Sequence, residues 1–428
     1  MSGLRTTLEQ RRRAHVPDPG AFDRLVRRRR RKERSQRLAA IVVALAVSAA
    51  GIWALVHAGT LRGRPAAPAI DRSTVGRLDV AWTAAVGDAT APVVAGDLAF
   101  VGSEAGVLYA LDVRTGGVVW LGRLGSPIAS EVAVSSDQVF VHTTTGVLAA
   151  FGISCGEGGA TCLPTWTART GGEGAPPLAA SDLVLVSTGD RLLAFDAACG
   201  TGGELCEPTW TGIAQPVGGA GPSAAPALAD GTVWTVVGPD LAIFPMPCPA
   251  PEGGRCQALN HRFTGGLRTG PVVGGGMAYF GSTGGYVYGF RADCTVLCDP
   301  IWRALATDPT EPAVADGFIY VSGAPDGGLA AVPQDCRSQG SVCAPTWTGD
   351  INGSPTSRVI VSNGVVYLGS SDGNLYAFPT TCAARCAPLA AIRIGASIEL
   401  PAIWQDRAVL VTARDGTLRA LTVDGRDL

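Results

Sequence analysis

One pattern recurs eight times between residues 77 and 428, and a repeat of this kind decides the architecture before any local signal does. It runs P-x-V, a turn, an apolar-aromatic-apolar stretch, a glycine turn, then L-x-A-aromatic. Clear copies begin at Pro92 (PVVAGDLAFVGSEAGVLYALD), Pro177, Pro271, Pro312, Arg358 (RVIVSNGVVYLGSSDGNLYAF) and Pro401, with weaker ones at Val132 and Pro226. Each unit closes on one position, occupied in turn by Trp82, Trp120, Trp166, Trp210, His261, Trp302, Trp347 and Ile392, at intervals of 38 to 51 residues. Each unit therefore reads as four short strands: P-x-V, a strand such as LAFVGS, a strand such as VLYALD, and an outer strand carrying the tryptophan. Asp372-Gly373, Asp415-Gly416 and Gly284-Gly285 mark the hairpins between second and third strands, because Gly and Asp tolerate positive φ. No helical periodicity separates the strands, which excludes a parallel α/β sheet.

The expected fold is all-β: an eight-bladed β-propeller of four-stranded blades over residues 77–428, preceded by a single transmembrane helix. The last copy ends at Leu421 without an outer strand, while RLDVAW ahead of the first copy is an outer strand without a blade. Pairing the two closes a ring and removes exposed sheet edges. The composition fits this reading: 57 Gly serve the many tight turns of such a chain, and charged residues make up only 16% against a usual ~25%. The series Trp82, Trp120, Trp166, Trp210, Trp302 and Trp347 recurs once per blade, so it reads as packing between blades rather than as a ligand stack.

The composite W-x-G…P-x-V-x-x-G-x-V-Y-x-G-S-x-D-G-x-L-Y-A-F, best seen in NGVVYLGSSDGNLYAF from Asn363 to Phe378, resembles the PQQ-type β-propeller repeat. Quinoprotein dehydrogenases and the non-catalytic outer-membrane assembly scaffold of the BamB type share that repeat. The resemblance implies the fold; function is a separate matter.

Twelve cysteines form six close pairs between the third and fourth strands of blades two to seven: Cys155/Cys162, Cys199/Cys206, Cys248/Cys256, Cys294/Cys298, Cys336/Cys343 and Cys382/Cys386. Six occurrences at one repeat position point to one shared geometry, and two cysteines flanking a hairpin loop can reach the ~5.5 Å Cα separation of a disulfide. Zinc is the alternative, since C-x3-C at Cys294/Cys298 and Cys382/Cys386 has finger-like spacing, but four ligands would have to come from blades that are not neighbours. Catalytic redox cysteines would carry C-x-x-C. Six disulfides within blades are expected.

Ahead of the repeats, residues 1–37 hold 13 Arg/Lys against 4 Asp/Glu, so a chain of net charge −2 divides into a +9 head and a −11 remainder. Residues 38–58, LAAIVVALAVSAAGIWALVHA, contain no charged residue and as a helix would extend about 31 Å, the thickness of a hydrocarbon core. The basic run from Arg27 to Arg37 places residues 1–37 in the cytoplasm and the propeller outside. A cleaved secretory signal ending at Val56-His57-Ala58 is the competing reading, opposed by the long basic region and the long apolar core. No cysteine precedes Cys155, so no acylated cysteine tethers this segment. Residues 59–76 read as a linker. The juxtamembrane position accounts for the basic charge through anionic lipid, without nucleic acid.

The sequence offers no catalytic, cofactor-binding or metal-ligating set. There is no G-x-S-x-G, H-E-x-x-H or phosphate loop, and Asp372-Gly373-Asn374 lacks the remaining ligands of a calcium loop. Of four histidines only His142 is positioned to face a channel. What the resemblance implies for a quinoprotein, an adjacent-cysteine disulfide, a calcium cluster and a catalytic aspartate, is not met, because Asp97, Asp182, Asp230, Asp316 and Asp372 fall in turns. The expected function is a non-enzymatic extracytoplasmic binding module at the cytoplasmic membrane, with no cofactor, holding a protein or envelope polymer on one propeller face. The alternatives are a degenerate PQQ-dependent dehydrogenase, a hydrolase with an unrecognised site, and an extracellular sensor.

Overall fold

The computed structural model describes residues 67–428 except 173–174, 190, 215–223, 239, 249–253, 262–265, 296–297, 326–327 and 337–341, and Ala67–Leu428 is one compact unit. Its strands form eight sheets, one per repeat, each built on antiparallel neighbours. In the first, Val93–Ala95, Leu98–Gly102, Val107–Asp112 and Val118–Arg123 lie side by side in chain order. The inner strands touch their neighbours around an axis, and Ile398–Trp404 of the last blade meets Val93–Ala95 of the first. The result is an eight-bladed propeller. The middle strands, such as Val365–Gly369, are buried at every residue, since both faces of a blade pack on other blades and a continuous apolar run is what such a strand requires. At Asp316-Gly317 and Asn363-Gly364 both turn residues have positive φ (52° and 78°, 46° and 76°), the type I′ geometry that matches strand twist.

The ring closes as the incomplete last repeat implied. Leu78–Ala85 pairs antiparallel with Thr417–Val423, from Leu78 opposite Val423 to Ala85 opposite Thr417, with a bulge between Val80 and Trp82. The tryptophans share one role. The indole N–H of Trp120 donates to Ile153 O at 2.8 Å, that of Trp166 to Ala197 O at 2.8 Å, and that of Trp302 to Pro333 O at 2.9 Å, each in the next blade. Trp82 repeats the bond across the seam to Val113 O at 2.8 Å. Each ring also sits among aromatics: Trp120 lies 5.9 Å from Phe100 of its own blade and 6.0 Å from Phe151 of the next. Burying an indole is favourable only when its N–H finds an acceptor, and here that acceptor belongs to the neighbour.

All six cysteine pairs are disulfide-bonded: Cys155–Cys162, Cys199–Cys206, Cys248–Cys256, Cys294–Cys298, Cys336–Cys343 and Cys382–Cys386, with Cα separations of 5.7 to 6.2 Å. The blades are not uniformly four-stranded, however. In four sheets a fifth short strand, carrying the second cysteine of a pair, runs parallel to the outer strand of the preceding blade. Ala160–Cys162 lies on Val118–Arg123, Glu204–Cys206 on Trp166–Arg169, Arg255–Gln257 on Trp210–Ile213, and Ala384–Cys386 on Trp347–Asp350.

The disulfides lie within their blades as expected, and their second cysteines in addition meet the preceding blade. Cys256 illustrates both contacts: its covalent partner is Cys248 of the same loop, with a Cα separation of 6.1 Å, yet Cys256 stands opposite Gly212 in the preceding blade's sheet and packs in one cluster with Trp210. The sulfur is apolar enough to be buried there, and the disulfide bends the loop so that its far arm reaches the open edge of the earlier outer strand. A disulfide within one blade thus shapes a latch onto the blade before it.

Residues 67–76, the C-terminal part of the expected linker, lie against the propeller. Ile70 and Val75 are buried, the Ile70 N–H donates to Asp406 O at 2.6 Å, and Arg72 reaches Gly364 O at 3.0 Å and Thr380 Oγ1 at 2.7 Å. The apolar segment 38–58 is outside the described residues; among those described, no helix is long and apolar enough to cross a membrane.

Candidate functional site at the channel mouth

Antiparallel order sends alternate connections to opposite faces. First-to-second-strand turns and the disulfide loops share one face; second-to-third-strand hairpins and the links between blades share the other. On that second face, the residue just before each P-x-V step stands at the axis. In blades 1, 3, 4 and 5 it is Ala91, Pro176, Ala225 and Gly270, but in blades 2, 6 and 7 it is Glu131, Glu311 and Arg358.

These three charges meet. Arg358 Nη1 lies 2.8 Å from Glu131 Oε1 and 2.7 Å from Oε2, reaching from blade 7 to blade 2, and 3.9 Å from Glu311 Oε2. The side chains of Glu131 and Arg358 retain only 22% and 26% of their exposure, so the pair is poorly screened. Glu311 has room because its neighbour is glycine: a Cβ on Gly270 would stand 2.9 Å from Ala225 O and 3.3 Å from Glu311 Oε1. Burial pushes the Glu311 carboxyl above its ordinary range, the Glu131 carboxylate adds to this, and Arg358 offsets part of it.

Above this network opens a cavity of about 590 Å³ whose wall includes Arg268, Thr269, Asp308, Glu311, Thr356 and Arg414. Arg268 pairs with Asp308. Thr310 Oγ1 lies 2.9 Å from Ser357 O and 2.6 Å from Ser322 Oγ, so it ties adjacent links together. A second cavity of about 370 Å³, lined by Asp88, Thr90, Glu104 and Arg414, lies on the same face. The mouth is thus a polar basin assembled from links of several blades.

His142 is not on the channel wall. It ends the second strand of its blade, is buried, and its Nε2 is 2.8 Å from Thr170 Oγ1. The tryptophans lie between blades and the disulfides on the opposite face, so neither these residues nor His142 line the mouth, whereas the hairpins at Asp372 and Asp415 are on the mouth face. Glu131 and Glu311 have no place in the sequence reading and Arg358 enters it only as the start of a repeat, although the refined alignment carries a signal: charges in a column otherwise filled by small or apolar residues.

The axis is where a quinone with calcium would need its donors. Calcium takes six to eight oxygens, whereas here two carboxylates share one guanidinium and the other positions named in that ring bring no donor side chain. Among the described residues no group of three His, Cys, Asp or Glu could hold a metal ion. The residues do not fit a calcium-quinone site.

The family model described as outer membrane protein assembly factor BamB matches residues 69–293. Among solved structures, BamB from Moraxella catarrhalis superposes with a TM-score of 0.63 at 14% identity, covering 81% of this chain and 99% of that one. The computationally designed Ika8 protein gives a TM-score of 0.60 at 12% identity, covering 79% and 96%. No curated protein matches the sequence. Since the family match runs over more than half of the chain, and the propeller closes on itself as such repeats require, the chain belongs to the BamB family.

Proposed function

We propose that the protein is a non-enzymatic binding module, tethered to the cytoplasmic membrane by residues 38–58 with its propeller outside the cell, and that the mouth face holds a protein or an envelope polymer. The observation that carries this reading is the axial network. Arg358 neutralises Glu131 at hydrogen-bond distance and stands near Glu311, so the Glu131 carboxylate that a hydrolase or dehydrogenase would use as base or ligand is committed to joining blades 2 and 7. The family's named member is an assembly factor, which favours a scaffold. The exported side supplies the oxidising conditions in which six disulfides persist.

The test uses the full-length protein in membranes. A photocrosslinkable residue at Glu104, on the mouth face, is expected to give a discrete adduct, and one at Glu157, in a disulfide loop on the opposite face, is not. PQQ with calcium is expected to leave the melting temperature unchanged; a rise would show cofactor binding and overturn the scaffold reading in favour of the dehydrogenase.

A further inference from the structure

We propose that the outer edge of the closing strand Leu78–Ala85 is a docking site for an extended segment of a partner protein, lying parallel to it as the latch strands lie on the other blades. This site is on the flank of the propeller and does not depend on the reading of the mouth.

The latches recur around the ring. Outer strands of blades 1, 2, 3 and 6 each carry a parallel strand. In blade 5 the Cys343 N–H donates to Arg303 O at 2.9 Å, and in blade 7 the turn Val75–Arg77 packs on Ala390–Arg393. Blade 8 should receive its latch from blade 1. There the link between third and fourth strands is a tight hairpin without cysteines, closed by the Gly116 N–H to Asp112 O at 2.8 Å and the Asp112 N–H to Gly117 O at 2.9 Å. Among the described residues no strand pairs with the outer edge of Leu78–Ala85.

Burial tells the same story. The second cysteine of a latch packs in one cluster with the tryptophan of the preceding blade, as Cys162 does with Trp120, Cys206 with Trp166, Cys256 with Trp210, Cys343 with Trp302 and Cys386 with Trp347. Those tryptophans are at most 5% exposed. Trp82 is only half-buried, and Val80 beside it is 38% exposed. The backbone is prepared as well. In latched blades the residue after the tryptophan bonds outward: the Thr211 N–H donates to Gly254 O at 2.7 Å. Thr83 holds that position in Leu78–Ala85, with its N–H and C=O turned to the open side.

Natural edges are blunted by charge, proline or a covering element. From Val80 to Ala85 there is neither charge nor proline, and the one bulge lies at the start, where a Cβ on Gly425 would come 3.1 Å from Val80 O. The free stretch, Ala81 to Ala85, is longer than any latch strand among the described residues. Its flanks are Asp79 and Asp88, both exposed, so the segment that fits has small residues at its centre and Lys or Arg at its ends. A second copy fits poorly, because antiparallel pairing about Thr83 brings Asp79 of one chain near Asp88 of the other at both ends, and like charges there are unfavourable.

The experiment uses the full-length chain in detergent and, as probe, a disulfide-closed peptide of residues 380–388 (TTCAARCAP), which contains a latch strand and an arginine. Saturating peptide is expected to slow amide exchange in residues 81–85 by roughly tenfold or more. Thr83→Pro removes the outward N–H at a place where an edge tolerates proline, and is expected to abolish this protection. Grafting the blade 2 loop, residues 153–165, in place of 113–117 fills the edge from within and is expected to abolish it too, which keeps the test decisive if Thr83→Pro fails to fold. Absence of protection in the wild type, or peptide protection that survives the graft, overturns the proposal. Concentration-dependent dimers that protect 81–85 without peptide overturn it in favour of self-association.

Discussion

Arg358 and Glu131 are 227 residues apart and belong to blades 7 and 2, yet both Glu131 oxygens lie within 2.8 Å of one Arg358 nitrogen. The bond joins blades that are not neighbours in the ring. Removing the cation leaves Glu131 and Glu311 facing each other in a partly dehydrated site. Breaking such a pair by deleting one partner costs about 2–4 kcal/mol, while replacing both charges by groups of similar shape is far milder. Arg358→Ala is expected to lower the unfolding midpoint accordingly, and Glu131→Gln with Arg358→Met to recover most of the loss. Equal losses in the single and double variants would show that the pair does not act as a unit.

Glu311 gives the mouth a pH signature. Its carboxyl is raised by burial and by Glu131, so the folded state binds this proton more tightly than the unfolded chain does. The resulting stabilisation is complete below the ordinary glutamate value of 4.5 and is lost as the pH rises through the folded value. Glu311→Gln keeps the shape and removes the titration. The melting temperature of the wild type relative to this variant is expected to be highest near pH 4 and to fall towards pH 7; a flat or rising difference contradicts the raised carboxyl.

Ring closure was legible because the orphan outer strand before Pro92 and the missing one after Leu421 are complementary gaps in a strict repeat, and the repeat sets strand order without reference to distant residues. The latches were not legible. Segments such as Ala160–Cys162 and Arg255–Gln257 are three residues long, too short for any periodicity, and whether Cys162 or Cys256 reaches a preceding blade depends on how far its loop projects. The folded part of the expected linker was hidden for a similar reason: Pro65 and Pro68 look like a stalk, and only Ile70 and Val75, buried against blades 7 and 8, say otherwise. The meeting of Arg358 with Glu131 depends on the width of the channel, which no local pattern encodes.

The latch model assigns the disulfides an effect beyond their own loops. Closing a loop of about eight residues is worth roughly 2.5 kcal/mol in the chain-entropy model. Cys155→Ser with Cys162→Ser frees the strand Ala160–Cys162, which covers Trp120 on the preceding blade. The double variant is expected to lose about 2–3 kcal/mol and to shift tryptophan emission to the red as Trp120 gains water. In a Trp120→Phe background the same two substitutions are expected to destabilise without the red shift, and a red shift there would separate emission from latch loss.

A tight sequence requirement lies two residues after Trp120, Trp210 and Trp347. Gly212 faces Phe244 of the next blade so closely that a Cβ there would stand 2.5 Å from the ring, and at Gly122 and Gly349 the corresponding distances to Phe151 and Phe378 are 2.8 Å and 2.7 Å. Trp166 and Trp302 are followed at this place by Ala168 and Ala304, so the slot admits only the smallest side chains. Overpacking a rigid core costs about 1–3 kcal/mol, and valine brings two methyls beyond the Cβ. Gly212→Val is therefore expected to destabilise by about 3 kcal/mol, whereas Gly152→Ala, where a Cβ would meet nothing within 4 Å, is expected to change stability by no more than about 0.5 kcal/mol. Adding Phe244→Leu to Gly212→Val should relieve part of the clash; thermal unfolding of the three variants decides whether this contact sets the spacing between blades 3 and 4.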